Sequence, residues 1–303
     1  MNEVDSADGE AVCYLCLDGG VDDEDGLPLQ RDCACRGSDA GFVHLSCLTK
    51  YAETKCQQTC DVDEFRDPWL NCPHCHQYYQ NELAIDIANK FQSFVREKYP
   101  KNTQSQVESL EVKLHALNSM LYWLQPVQKT EAGITANVLL SLIDRMKGHV
   151  LPLPLPLQIR YSEFEANTHA IHGQIALYEG TEESARRAVI HFQRSLVKFE
   201  SISCVEGVAA AKSNIACAKS TNKGQRNNEE LLRALQEDYE FSISKYGENT
   251  EHTIQRAAMY AVQLQNCNRG DEGIELLMKL QATSKRVLGP DHITTKGIEA
   301  KLV

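Results

Sequence analysis

Nine of the twelve cysteines precede residue 76. Eight Cys and His residues there fall into close pairs: Cys13 with Cys16, Cys33 with Cys35, His44 with Cys47, and Cys72 with Cys75. The order is Cys-x2-Cys-x16-Cys-x-Cys-x8-His-x2-Cys-x24-Cys-x2-Cys. A two-residue gap lets both sulfurs of a knuckle reach one ion at about 2.3 Å, and a d10 ion accepts four thiolate or imidazole ligands without a geometric preference of its own. Zinc suits this donor set. Eight donors make two sites, and a site filled entirely by protein groups is structural, with no position left for hydrolytic chemistry. A short stretch with little apolar content is expected to unfold without its metal.

Cys56, Cys60, His74 and His76 are spare donors. His74 lies inside the Cys72-Pro73-His74-Cys75 knuckle, where adjacent ligands of one ion would be strained, and Cys56 and Cys60 at helical spacing read as ordinary helix residues. Trp69 is expected to pack over the second knuckle.

The order C4HC3, with histidine as fifth ligand, resembles the RING-CH family of zinc fingers found in membrane-associated ubiquitin ligases. Cys33-Ala34-Cys35-Arg36-Gly37, with one residue between the cysteines, matches that pattern, as does His44-Leu45-Ser46-Cys47-Leu48 followed by Tyr51 on a helix. The eight residues between Cys35 and His44 are one more than is usual there. They also disfavour the PHD type of finger, which shares the ligand order but brings its histidine sooner, and with it a histone-reading role. The resemblance implies interleaved binding: Cys13, Cys16, His44 and Cys47 on one ion, Cys33, Cys35, Cys72 and Cys75 on the other. It implies a ligase that does no covalent chemistry, but holds a charged ubiquitin-conjugating enzyme in a reactive pose. Leu15, Pro73 and either Leu48 or Tyr51 are then the docking residues, with Leu48 also a candidate for the finger's own core. His76 occupies the place where such ligases often carry a basic residue that braces ubiquitin.

Charge is concentrated on this stretch. Residues 1–75 carry 16 acidic and 5 basic side chains, whereas residues 76–303 carry 26 of each, so the net charge of −11 belongs to the finger. Such a surface repels phosphate backbones, excluding nucleic acid and anionic membranes as expected partners and favouring a basic protein. The run Asp22-Asp23-Glu24-Asp25 also reads as a plain solvated loop. No apolar run approaches the roughly 18 residues of a membrane span, and Met1 to Gly9 is acidic and lacks a signal core. The expectation is a soluble intracellular protein, cytoplasmic or nuclear, with reduced thiols.

The elements that follow read as helix after helix. Leu83, Ile87, Phe91 and Phe94 recur at helical spacing, as do Val107, Leu110, Leu114, Leu117, Leu121 and Leu124, with Pro100 and Pro126 closing the segments. A third helix near 134–147 presents Val138, Leu142 and Met146. The Leu-Pro alternation of 151–157 cannot be helical and reads as a linker or tight corner rather than a polyproline ligand. Helices are then expected near 161–179, 182–200, 205–220, 228–246, 251–267 and 271–288, punctuated by Gly180, Asn222 to Gly224, Gly247 and Gly270. Lys245-Tyr246-Gly247-Glu248-Asn249 and Val287-Leu288-Gly289-Pro290-Asp291 align at a spacing of 42, with Thr253 falling on Thr295.

Leu288-Gly289-Pro290-Asp291-His292 resembles the inter-repeat turn of tetratricopeptide (TPR) repeats of the kinesin-light-chain type. That resemblance covers residues 228–303 and implies a superhelix whose concave face takes a protein or peptide. The expected fold is a small zinc-stabilised RING-type finger followed by an all-α array of helical hairpins. Its divisions are an acidic tail at 1–12, the finger at 13–79, a helical segment at 80–150, the linker at 151–157 and the TPR-like repeats at 158–303. A zinc-finger and repeat scaffold without enzymatic activity is the alternative function.

Overall fold

The computed structural model describes residues 11–22, 26–31, 33, 35, 41–57, 62–119, 126–149, 154–221, 228–290 and 292–302. Asp23, Glu24, Asp25, Ala34, Arg36, Gly37, Cys60, Leu121, Leu124, Asn222 to Gly224 and Asp291 lie outside them, as do most of the acidic tail and the first half of the Leu-Pro stretch. Among the described residues there are twelve helices and no strand longer than an isolated bridge. The chain divides into two compact units, Met1–Ser119 and Met120–Val303.

The first unit holds the finger and four helices: α1 (Leu45–Cys56), α2 (Val62–Leu70), α3 (Asn81–Lys98) and α4 (Thr103–Ser119). The long gap between Cys47 and Cys72 is filled by α1 and α2. Both pack on α3, and α2 also meets α4. Leu83, Ile87, Phe91 and Phe94 on α3 are all buried, as the helical period requires, and so are Val107, Leu110, Leu114 and Leu117 on α4. Trp69 is 1 % exposed and lies stacked on Phe91, ring centres 4.8 Å apart, while its indole N–H donates to Cys56 Sγ at 2.7 Å. Its ring and hydrogen-bond partners are thus Phe91 and Phe94 of α3 and Cys56 at the end of α1. Two polar ties join the same parts: Gln30 Nε2 donates to Asp86 at 3.2 Å, and Arg66 bridges Glu108 and Glu111.

The second unit runs through α5 (Pro126–His149), α6 (Leu155–Tyr178), α7 (Glu182–Ser201), α8 (Val205–Thr221), α9 (Asn228–Tyr246), α10 (Glu251–Asn266), α11 (Gly270–Val287) and α12 (Ile293–Leu302). Each packs mainly on its neighbours in sequence, giving consecutive hairpins. Three details differ from the sequence reading. Pro126 opens α5 instead of closing the segment before it, since the first helical position lacks an intrahelical partner for its N–H anyway. For the same reason Leu155-Pro156-Leu157 form the first turn of α6, with Pro154 at its N-cap. On α5, Leu142 is buried as expected but Val138 is 45 % exposed, and the buried face is completed by Leu139, Ile143 and two alanines, Ala132 and Ala136, that let a neighbouring helix approach.

Close approach recurs between α6 and α7, where a methyl group on Gly173 would lie 2.5 Å from the Phe192 ring. Glu165, buried on α6, accepts from Lys147 of α5 and from Lys198 of α7 at 2.6 Å, tying three helices through one carboxylate. The 42-residue register extends beyond the turn motif. Leu235 and Leu277, Ser242 and Ser284, and Thr253 and Thr295 are buried pairs, and Gly247 and Gly289 both take positive φ, 80° and 99°.

Candidate metal centre

Two knuckles of identical register frame the finger. Val12 bridges Gly19 around Cys13 and Cys16, and Asn71 bridges Tyr78 around Cys72 and Cys75. In the first, Leu17 N–H donates to the Cys13 carbonyl and Cys13 N–H to that of Asp18; in the second, His76 donates to Cys72 and Cys72 to Gln77. Leu17 and His76, one residue past each pair, both enter the left-handed region at φ 68° and 54°. This geometry turns backbone N–H groups onto the sulfurs: Leu15 N–H donates to Cys13 Sγ at 3.4 Å.

His44 is the N-cap of α1 and Cys47 lies in its first turn, so the helix start presents both side chains together. The carbonyl of His44 accepts from Leu48 N–H, and Ser46 donates to buried Asp22. Asp22 is therefore built into the finger, where its carbonyl also accepts from Gly26 N–H. Opposite, Gly41 at φ 85° lies hard against the second site. A β-carbon there would lie 3.0 Å from both Cys33 Sγ and Cys35 Cβ.

The structure gathers the eight predicted donors into two groups, Cys13, Cys16, His44 and Cys47, and Cys33, Cys35, Cys72 and Cys75. Within each group all ligand atoms lie within 4.8 Å of one another. Cys35 Sγ and Cys72 Sγ are 3.6 Å apart, where tetrahedral zinc sets sulfurs about 3.8 Å apart. His44 Nδ1 is 3.4 Å from Cys16 Sγ and 3.9 Å from Cys47 Sγ, around the roughly 3.6 Å of a mixed nitrogen and sulfur shell. The donors fit two zinc ions in a crossed arrangement, first pair with third and second with fourth.

The electrostatics show what each ion would do. A hydrogen bond from Cys33 pulls the Cys72 thiol down to about 4, while that same bond pushes Cys33 far up. Burial raises Cys35 to about 12 and Cys47 to about 12. Sulfurs this close cannot all ionise by themselves, and a central dication stabilises the thiolates together. All four positions of each site are protein groups, which makes the centre structural.

The other sequence-predicted residues separate. Leu48 is 0 % exposed and belongs to the finger's core. Leu15 and Pro73 are half-buried beside the knuckles, Tyr51 is half-buried on α1, and His76 is exposed. His74 is also exposed, its ring edge-on to Tyr14 at 4.6 Å. Cys56 ends α1 in the core, away from both donor groups. The sequence reading missed Gly41, whose only signal was its type.

A zinc-binding finger with crossed sites, joined to an all-helical region, defines the class. Residues 13–62 match the RING-variant domain. That match stops short of Cys72 and Cys75, which the structure brings into the second site with Cys33 and Cys35. No curated protein matches the chain significantly. Among the described residues no helix is long and apolar enough to cross a membrane.

Proposed function

We propose that the protein is a ubiquitin ligase of the RING-CH type, whose finger recruits a ubiquitin-conjugating enzyme and whose helical unit selects a protein substrate. The observation that carries this is the crossed pair of closed donor groups, six of whose eight donors lie in the segment matching the RING-variant domain. The finger supplies no reacting group; zinc holds the two knuckles at a set separation, and catalysis is positioning of the thioester. Leu15 and Pro73, next to the two knuckles and partly open to solvent, are the docking residues of this reading, with His76 as the brace for ubiquitin. Leu48, sealed in the core, is not among them.

For the helical unit we propose a TPR-like array of the kinesin-light-chain type that binds a protein or peptide. Supporting it are the paired burial and the paired left-handed glycines at the 42-residue spacing, together with hairpins that pack on their neighbours. The experiment is a discharge assay: zinc-loaded protein accelerates loss of ubiquitin from a charged conjugating enzyme, and Leu15→Ala with Pro73→Ala abolishes this while both zinc ions stay bound. Failure across a panel of conjugating enzymes, with zinc and fold intact, decides for the alternative, a zinc-finger scaffold whose binding resides in the helices.

A further inference from the structure

On the helical unit, three histidines converge that the finger does not use. His169 and His172 are one turn apart on α6, and His191 faces them from α7. Ring centres are 5.8 Å apart for His169 and His191, and 5.2 Å for His172 and His191. Nδ1 of His169 and Nδ1 of His191 are buried without a hydrogen-bond partner. Buried polar atoms are nearly always satisfied, so two orphaned ring nitrogens in adjoining side chains point to something they have in common.

We propose that His169, His172 and His191 form a third metal site, binding one divalent transition-metal ion with water in the fourth position. An imidazole nitrogen sits about 2.0–2.1 Å from zinc, which puts the ring centre about 3.2 Å from the ion, and tetrahedral angles then separate ring centres by about 5.2 Å. His172 and His191, 5.2 Å apart, have that spacing, and His169 and His191, at 5.8 Å, are slightly wider. What remains is rotation of the rings about their broad terminal torsion to aim the nitrogens, since only the finger's donor groups are drawn within 4.8 Å among the described residues. Burial holds all three histidines below their ordinary value, His191 down to about 4, so at neutral pH they are in the unprotonated form that ligates. Imidazole ligands select zinc, copper or nickel over magnesium and calcium. Arg194, whose charge bears on His169 and His191, weakens the site and keeps its affinity well below that of the thiolate sites.

The test uses the full chain with its finger loaded with zinc, dialysed to equilibrium against rising Zn2+. Wild type is expected to take up one ion beyond the finger's two groups, and His169→Gln with His191→Gln to lose that ion only, affinity falling by at least about 100-fold. Helicity and the finger's zinc should not change. Arg194→Gln should tighten the extra site severalfold. Cu2+ added to the zinc-loaded chain should give a resonance spectrum split by three nitrogens, reduced to two in His172→Gln, a variant that leaves the two orphaned nitrogens in place. A wild-type count that stops at the finger's ions up to sub-millimolar zinc overturns the proposal. So does an extra ion that survives the double substitution, or a copper spectrum that His172→Gln leaves unchanged.

Discussion

Replacing Gly41 with alanine asks a β-carbon to accept φ 85° while lying 3.0 Å from Cys33 Sγ. The backbone resists both demands. Gly41→Ala is expected to weaken the Cys33, Cys35, Cys72 and Cys75 site about 10- to 100-fold and to spare the other, read by zinc release to a graded chelator. Trp69 supports a second prediction: Trp69→Phe loses the indole bond to Cys56 and costs about 1 kcal/mol, whereas Trp69→Ala costs about 3–5 kcal/mol, in denaturant titrations of zinc-loaded protein. The metal donors were legible in the sequence because Cys and His pairs carry their chemistry in type and spacing. Gly41 and the indole's partners were not, since a left-handed turn against a sulfur and the direction of a ring are set by segments distant in the chain.

At the scale of elements, the helices of the second unit begin and end close to where glycine and turn residues place them, as for Glu182–Ser201 and Glu251–Asn266. Faces were less legible than ends. On α5 the larger apolar residues suggested Val138, yet the buried seam includes Ala132 and Ala136, because closeness of approach is a property of two helices and not of one pattern. Gly173 shows the same dependence. Gly173→Ala should force the Phe192 ring aside, costing about 1–3 kcal/mol in unfolding experiments, with loss of amide protection centred on α6 and α7. An alanine there that stabilised the protein, as helix propensity alone would have it, would show the packing to be looser than described.

For the whole molecule, two kinds of stability should separate. A strong chelator is expected to abolish the unfolding transition of the first unit while leaving a helical transition from the second, followed by circular dichroism with and without chelator. That remaining transition should be acid-sensitive. Burial holds His169, His172, His191, His252 and His292 below 6.5, the last three down to about 4. A group depressed in the folded state contributes stability that is full above its unfolded value and is lost as pH falls toward the folded one. Glu251, raised to about 7 by burial, and Asp238, also raised by burial, work the other way as they take up protons. With five groups against two, the midpoint should fall between pH 7 and pH 5, and a flat profile there would contradict the burial of these rings.

The crossed pairing of the knuckles has a kinetic side. Each ion joins donors that flank a pair belonging to the other, so binding either one closes a loop of chain that carries half of its companion's site. Loading should therefore be all-or-none: the first ion captured draws the chain into the path of the second, and one ion withdrawn loosens its companion. A partly charged finger is then a transient rather than a resting form, and availability of zinc acts on it as a threshold instead of a dial.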